Sequence, residues 1–385
     1  MKRQPPTSRL PQIGETVFTR MSALAGEAGA INLSQGFPDF DGPDLLFQRL
    51  AAHVAEGRNQ YAPMPGLLTL RQAIAVQVTR HHGRHVDPDH EVTVTSGATE
   101  ALYAAIAAMV GPGDEAVVLD PAYDAYVPAI LLNGARARRV PLEAPEFQVD
   151  WGRVSDAVTP KTRLIVINTP HNPTGRVLGA DDLTQLAELV RDRPIWVLSD
   201  EVYEHIQFGP VLSSVHRHPE LRARSLVVSS FGKSLHITGW KLGYCVAPAE
   251  LTRELRKVHQ YLTFSSFTPA QWALADLFAA QPDVMDGLAD FYRAKRDLFA
   301  EALAGSGFDL LPCQGTYFQV ASYARLSGLA DTEFAEQLIQ KAGVAAIPVS
   351  VFYEAPQECA PLVRFCFAKS DTTLLEAARR LSALR

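Results

Sequence analysis

Between about residue 90 and residue 245 the chain alternates short β-rich runs with helix-like stretches, and this alternation limits the fold more than any other feature. Five runs are almost continuously apolar, namely EVTVTS (91–96), EAVVLD (115–120), RLIVINT (163–169), IWVLSD (195–200) and SLVVSS (225–230). Between them, TEALYAAIAAMV (99–110) and DDLTQLAELVRDR (181–193) have the pattern of helices. Apolar strands separated by helices predict an α/β fold, in which a mostly parallel sheet is covered by helices on both faces.

The remainder of the chain indicates a second, smaller unit. The stretch from about 250 to 300 has a helical pattern, and the part after it mixes helices with short strands such as TYFQVA (316–321). Residues 1–45 are rich in Pro and Gly and do not continue the alternation. We therefore predict a large domain over 46–285 that carries the chemistry, and a smaller α/β domain built from 1–45 and 286–385.

Composition argues against several classes of function. The net charge is −6 with acids and bases interleaved, so no basic block predicts binding to nucleic acid. The longest uncharged apolar stretch, ALYAAIAAMV, is too short for a membrane span of about 20 residues, and the basic N-terminus has no apolar segment behind it. Cys245, Cys313, Cys359 and Cys366 lack metal-ligand spacing, so we expect core thiols and no metal. We expect a cytoplasmic protein without nucleic-acid or membrane partners.

Ligands of such sheets bind beyond the carboxyl ends of the strands, so the residues that follow each run are the candidates for chemistry. Gly97, Ala98 and Thr99 open a helix, where backbone N–H groups can hold a phosphate, although a simple strand-to-helix turn fits equally well. Tyr123 could stack on a planar ring or fill the core. Asn172, in TPHNPTG, offers an amide from a rigid turn or serves only the turn itself.

The last two runs end in charged residues. Asp200 directly terminates an apolar run, where a carboxylate is costly unless a cation pairs with it. Ser230 and Lys233 follow the fifth run, and a lysine there is either a solvated surface charge or a nucleophile in a pocket. Together the five strand ends offer groups for a phosphate, a flat ring, a ring nitrogen and an aldehyde. That set suits a phosphorylated heteroaromatic aldehyde.

The ordered motifs GAT, DPAYDAY, NTPHNPTG, SDEVYEH and SSFGKSLHITGWKLGY resemble the class I aminotransferases of fold type I, which use pyridoxal 5′-phosphate. The resemblance extends from INLSQGFPDF (31–40) through NQYAPMPG (59–66) to VRFCFAK (363–369). It is nearest to the methionine and kynurenine aminotransferases, the glutamine transaminase K-like group. It implies transfer of the amino group of an apolar or aromatic amino acid, with methionine or kynurenine as examples and methionine favoured, to a 2-oxo acid.

The resemblance implies a role for each strand-end residue. Lys233 forms the Schiff base with the cofactor and moves the substrate proton. Asp200 faces the pyridine nitrogen, Tyr203 and Asn172 hydrogen-bond the 3′ oxygen, and Tyr123 stacks on the ring. The cofactor phosphate is held by residues that offer N–H groups, a hydroxyl or a positive charge, and these are Gly97, Ala98, Thr99, Ser230 and Lys241.

Lys241 is a departure from the wider aminotransferase pattern. The sequence has GWK where many aminotransferases have GWR. A lysine keeps the positive charge but loses the two-pronged geometry of a guanidinium. We therefore expect phosphate anchoring here to depend on a point charge.

The resemblance also assigns the substrate pocket. Arg364 matches the residue that binds the substrate α-carboxylate, with a structural salt bridge as the alternative, and Gly36 matches a loop whose backbone contacts the same carboxylate. Tyr61 matches the tyrosine that reaches the cofactor phosphate of the other subunit, which implies a homodimer with shared active sites. The apolar pocket is matched by aromatic residues that could equally be core, namely Phe18, Phe352 and, across the subunit interface, Phe264.

Two other functions are compatible with this fold. A β-lyase acting on cysteine S-conjugates would use the same lysine, aspartate and arginine, so the sequence does not separate it from a transaminase. A non-catalytic ligand sensor on this fold would be fused to a DNA-binding module. We do not expect the sensor, because the chain shows no basic helix and no extra N-terminal domain.

Overall fold

The computed structural model describes residues 7–11, 13–209, 212–356 and 359–384, and a seven-stranded sheet organises its larger part. In chain order its strands are β2 (Val92–Thr95), β3 (Glu115–Asp120), β4 (Arg136–Pro141), β5 (Thr162–Asn168), β6 (Trp196–Asp200), β7 (Ser225–Ser230) and β8 (Gly243–Val246). Their spatial order is β2-β8-β7-β6-β5-β3-β4, and all pairings are parallel except the two made by β8. The predicted mostly parallel α/β sheet is confirmed.

All five predicted β runs are strands of this sheet, whereas β4 and β8 were not predicted. β4 has the sequence RARRVP, whose arginines hide the β pattern because it is an edge strand with mostly half-buried or exposed residues. β8 follows a lysine-containing turn with no helix longer than four residues between it and β7, and it pairs antiparallel, so it falls outside the predicted alternation of strands and helices.

Helices cover both faces because successive strand residues point to opposite sides. Val117, Ile165, Val197 and Val227 pack in one core with α6 (Trp151–Ala157) and α7 (Ala180–Val190). Their neighbours Val118, Val166, Leu198 and Val228 pack in another core with α4 (Gly97–Met109), α5 (Tyr126–Leu132) and α10 (Ala249–Leu262). The remaining helices of this part are α2 (Asp44–Ala55), α3 (Leu68–His82), α8 (Pro219–Arg222), α9 (Phe231–Ser234) and α11 (Thr268–Ala280).

A second sheet lies in the C-terminal part, with four strands ordered β12-β13-β10-β9. These are β9 (Asp309–Leu310), β10 (Phe318–Ser322), β12 (Ile347–Pro348) and β13 (Leu362–Cys366), accompanied by α12 (Leu288–Ala302), α13 (Asp331–Ala342) and α14 (Asp371–Ser382). From the N-terminal part, α1 (Val17–Ala28) packs on α13 and β1 (Ile31–Asn32) pairs with β11 (Val344–Ala345). Domain limits at residues 45 and 285 stay a prediction.

The parallel strands place their carboxyl ends at one edge of the large sheet. The residues after β2, β3, β5, β6 and β7 therefore meet there, as the sequence predicted. No helix of the described part of the chain is both long enough and apolar enough to span a bilayer.

Gly243 is required where β8 passes between β7 and the start of α4. A Cβ at this position would lie 2.7 Å from the carbonyl oxygen of Ser229 and 2.8 Å from the amide nitrogen of Ala98. The first atom belongs to the backbone of β7, which pairs with β8, and the second to the backbone of α4, which packs on β8. Neither atom can therefore move aside without displacing its strand or helix. We predict that Gly243→Ala lowers the free energy of unfolding by about 1–3 kcal/mol, measured by urea denaturation.

Gly239→Ala is the matched control, because a Cβ at Gly239 would have no atom within 4 Å. That variant should unfold within about 0.5 kcal/mol of the unsubstituted protein. Equal urea midpoints for the two variants would show that β8 has room for a side chain and that the close approach is not a constraint.

Candidate active site

A cavity of about 280 Å³ opens at the carboxyl edge of the large sheet. Its wall is formed by the loops after β2, β3, β5, β6 and β7, together with the segment around Gly36 and residues of β10 and β13. Most of the residues predicted from the sequence lie on this one wall, namely Phe18, Gly36, Gly97, Ala98, Thr99, Tyr123, Asn172, Asp200, Tyr203, Ser230, Lys233, Lys241 and Arg364. The individual roles assigned to them stay predictions.

Lys233 is a partly buried amine at the cavity wall and not a solvated surface charge. It lies on the short helix α9 directly after β7, and its Nζ donates a hydrogen bond to the carbonyl oxygen of Gly36 at 3.3 Å. Burial lowers the pKa of Lys233 to about 8, and the positive charges of Lys241 and Arg364 act in the same direction. A larger neutral fraction near pH 7 makes this amine a better nucleophile than an ordinary lysine.

Asp200 ends β6 and is 3% exposed. The hydroxyl of Tyr126 donates to its Oδ2 at 2.6 Å, and the amide of Val202 donates to its Oδ1 at 3.3 Å. Burial raises the pKa of Asp200 to about 6. Within the described ranges no lysine, arginine or histidine forms an ion pair with it, so a ligand with a protonated nitrogen would supply the missing partner.

Groups that could bind an anion lie together at the first turn of α4. Gly97 has φ +77°, a conformation that glycine adopts freely, and it turns the chain so that the helix begins at the cavity wall. Lys241 has its Nζ 3.5 Å from the position that a Gly97 Cβ would occupy, and Ser230 lines the same cavity. Helix N–H groups, a hydroxyl and a cation together suit a phosphate.

Arg364 is 1% exposed and lies on β13 of the second sheet. Its Nη1 donates to Asn172 Oδ1 at 2.6 Å, and its Nη2 donates to the carbonyl oxygen of Ser34 at 2.9 Å. The guanidinium carbon stands 3.8 Å from the ring centre of Phe318. Burial lowers the pKa of Arg364 to about 10.

No acidic side chain in the described part of the chain forms a salt bridge with Arg364, and its Nε has no hydrogen-bond partner there. The structural salt bridge considered for this residue is therefore not found among those residues. A buried guanidinium with unused donors fits a carboxylate ligand.

Three predicted residues lie outside the cavity wall of the single chain. Tyr61 is 81% exposed, and its ring stands 5.4 Å from that of Phe264. Phe352 is buried, with its ring 5.8 Å from that of Phe18. It therefore packs behind a wall residue and does not line the cavity.

Several residues of the site were not predicted. Asn168 ends β5, its Nδ2 donates to the carbonyl oxygen of Asp200 at 2.8 Å, and its Oδ1 accepts from the amide of Asn172 at 2.7 Å. The rule about strand ends could have identified it. Tyr126 lies inside the recognised motif DPAYDAY but was assigned no role. Further wall residues were assigned no role, although most of them lie inside the quoted motifs, and these are Gln35, Phe37, Leu102, Val202, Gly232, Thr238, Leu242 and Phe318.

Known proteins of similar sequence and structure are aminotransferases. A family model described as "Aminotransferase class I and II" matches residues 28–381. The chain is 54% identical over 380 residues to the methionine aminotransferase of Escherichia coli. That alignment covers 98% of both chains. It is 43% identical over 393 residues to a probable N-succinyldiaminopimelate aminotransferase of Mycobacterium tuberculosis, again 98% of both.

More distant relatives and solved structures extend the similarity. A kynurenine–oxoglutarate transaminase of Dictyostelium discoideum is 33% identical over 422 residues, covering 99% of this chain and 96% of that protein. A solved Escherichia coli structure, described with a methionine aminotransferase function, superposes with a TM-score of 0.97 at 54% identity. That match covers 99% of this chain and all of the other.

Proposed function

Because this chain belongs to the class I and II aminotransferase family, we propose that it transfers the amino group of an apolar or aromatic amino acid, with methionine favoured, to a 2-oxo acid. It is a transaminase that depends on pyridoxal 5′-phosphate. The preference for methionine is supported by the name of a relative at 54% identity and by the chemistry of the cavity wall.

The residues of the cavity wall suit the chemical groups of the cofactor. Asp200 is a buried carboxylate that forms no salt bridge with any described residue, and it would bind the ring nitrogen. Lys233 would bind the aldehyde carbon, and the first turn of α4 with Ser230 and Lys241 would hold the phosphate. When bound, pyridoxal phosphate supplies an electron sink for negative charge that develops at the substrate Cα.

The chain's own residues bind the substrate and move its proton. Arg364 would pair with the α-carboxylate through its guanidinium. Its direction is fixed by two acceptors, the backbone carbonyl oxygen of Ser34 and the side-chain oxygen Oδ1 of Asn172. Lys233, with a pKa lowered to about 8, would accept the proton from Cα. Its Nζ already lies at the cavity wall beside Gly36, so no large rearrangement of the backbone is needed.

The distribution of cations on the wall carries the proposed substrate preference. Among the described residues that line the cavity, the cations are Lys233, Lys241 and Arg364, and each has a use in binding cofactor or α-carboxylate. The rest of the wall includes apolar side chains, namely Phe18, Phe37, Leu102, Val202 and Phe318. A side-chain carboxylate would find no further cation on this wall, whereas a thioether or aromatic ring would find apolar contacts.

The β-lyase alternative is not proposed. None of the relatives described above carries a lyase name, and no feature of the cavity favours elimination over transfer.

We predict that the second-order rate constant for conversion of the bound cofactor to its amino form is about 100-fold higher with methionine than with aspartate. An unpaired buried carboxylate costs roughly 3 kcal/mol, which corresponds to that factor. Single-turnover absorbance measurements on the purified holoenzyme give both values. Aspartate reacting as fast as methionine would contradict the proposed substrate class while leaving the family assignment intact.

Arg364→Gln provides a second arm of this experiment. It should raise the concentration of methionine needed for half-maximal rate, because the α-carboxylate loses a charged partner. Arg379→Gln is the control, since that side chain is 70% exposed and its ion pair among the described residues is with Glu376 on the surface of α14.

A homodimer with shared active sites is part of the proposal. Tyr61 and Tyr261 are 81% and 89% exposed, and Phe267 is half exposed. The segment after Tyr61 is held to the segment around Phe264 by two hydrogen bonds, from the amide of Ala62 to Thr268 Oγ1 and from Ser265 Oγ to the carbonyl of Ala62. An aromatic surface of this kind is suited to a subunit interface. The proposal places the enzyme in the cytoplasm.

Sedimentation equilibrium of the holoenzyme tests the oligomeric state. We predict a mass of twice 42.1 kDa, and Tyr61→Ala should weaken cofactor binding if the tyrosine reaches the other subunit's phosphate. A mass of one chain at micromolar concentration would refute the shared site.

A further inference from the structure

Tyr126 is a buried side chain that contacts two residues of the cofactor site without lining the cavity. It is the first residue of α5, and its hydroxyl donates to Asp200 Oδ2 at 2.6 Å. Its ring packs edge-on against that of Tyr123, with 5.7 Å between the ring centres and 74° between the planes. Tyr126 therefore stands behind both the carboxylate for the ring nitrogen and the aromatic ring for stacking.

The hydrogen bond from Tyr126 is the short one at the Asp200 carboxylate. Its other hydrogen bond within the described structure, from the amide of Val202 to Oδ1, is 3.3 Å long. Each oxygen of Asp200 therefore accepts one hydrogen bond and keeps a second lone pair for a further donor. The shorter bond, from Tyr126, restrains the rotation of the carboxylate and so sets the direction in which these lone pairs point.

The charge on Asp200 depends on the groups that face it. Tyr126 from α5, Tyr123 from the loop after β3, Tyr203 from the loop after β6 and Lys233 from α9 are the titratable groups concerned. Burial raises the pKa of Asp200 to about 6, while the hydrogen bond from Tyr126 and the charge of Lys233 act in the opposite direction. Burial also raises the pKa of Tyr126, so its hydroxyl remains a donor.

We propose that Tyr126 is a positioning residue that orients the carboxylate of Asp200 and keeps it ionised for the cofactor ring nitrogen. The inference rests on the transaminase function proposed above. The carboxylate stabilises the proton on the ring nitrogen. Protonation of the ring nitrogen would therefore depend on the Tyr126 hydroxyl, although that hydroxyl touches neither cofactor nor substrate. The alternative is that Tyr126 is a core residue whose hydroxyl merely needs an acceptor.

The first test is binding of pyridoxal phosphate to cofactor-free Tyr126→Phe protein, measured by equilibrium fluorescence titration. Loss of a hydrogen bond to a charged group should weaken binding about tenfold. Tyr323→Phe is the matched control, because that buried hydroxyl donates to the carbonyl of Leu329 at 2.8 Å, on a part of the chain that does not line the cavity. The control should bind the cofactor as the unsubstituted protein does.

A cofactor analogue separates the two explanations. In 1-deaza-pyridoxal phosphate a C–H group replaces the ring nitrogen, so the analogue has no proton for Asp200 to stabilise. If Tyr126 acts through Asp200, the tenfold difference between Tyr126→Phe and unsubstituted protein should disappear with the analogue. A difference that persists with the analogue would overturn the proposal, because it would assign the effect to packing against Tyr123.

The pH dependence gives an independent readout. In a plot of the rate of the methionine half-reaction against pH, the acid limb of Tyr126→Phe should lie about one pH unit higher than that of the unsubstituted protein. The reason is that the carboxylate loses a donor that favours its ionised form. The methionine concentration for half-maximal rate should stay unchanged, since Arg364 is untouched. An unshifted acid limb together with unchanged cofactor affinity would contradict the proposal.

3-Fluorotyrosine at position 126 covers the case in which Tyr126→Phe does not fold. Its hydroxyl is a stronger donor of nearly the same size, so the acid limb should move downward, and a limb that does not move would count against the proposal. Failure of the unsubstituted protein to bind pyridoxal phosphate would instead disprove the proposed function itself.

Discussion

Removal of charged side chains from water at the carboxyl edge of the large sheet is the constraint on which the rest of the structure depends. Asp200 and Arg364 are buried there and Lys233 is partly buried. Removal from water favours the neutral form of each group, so the pKa of Asp200 rises to about 6, while that of Lys233 falls to about 8 and that of Arg364 to about 10. Within the described structure none of the three forms a salt bridge with another residue. A protonated ring nitrogen, an aldehyde and a carboxylate are the ligands that would relieve these costs.

The fold holds these groups apart while presenting them to one cavity. Asp200 ends β6 and Lys233 follows β7, so the parallel register of neighbouring strands sets their relation. Arg364 comes from β13 of the other sheet, where Ser34 and Asn172 fix its direction. The cavity consequently needs both sheets, and the position of Arg364 on its wall depends on how the sheets pack.

Sequence reasoning succeeded where the position of a residue follows from its place along a strand. The apolar runs ending at Asp200 and Ser230 predicted both the strands and the edge at which they end. It failed for β4, because an edge strand rich in arginine lacks an apolar pattern. It also gave no role to Tyr126, because the direction of a side chain depends on tertiary packing that spacing does not encode.

The ionisation of Lys233 in cofactor-free protein tests the central claim most directly. Reductive methylation with formaldehyde over a range of pH, followed by peptide mass spectrometry, reports the fraction of neutral amine at this one residue. The account predicts a midpoint near pH 8, where an ordinary lysine titrates near 10.5, and a higher midpoint in Lys241→Gln because a neighbouring positive charge is removed. A midpoint near 10.5 would show a solvated lysine and contradict the account.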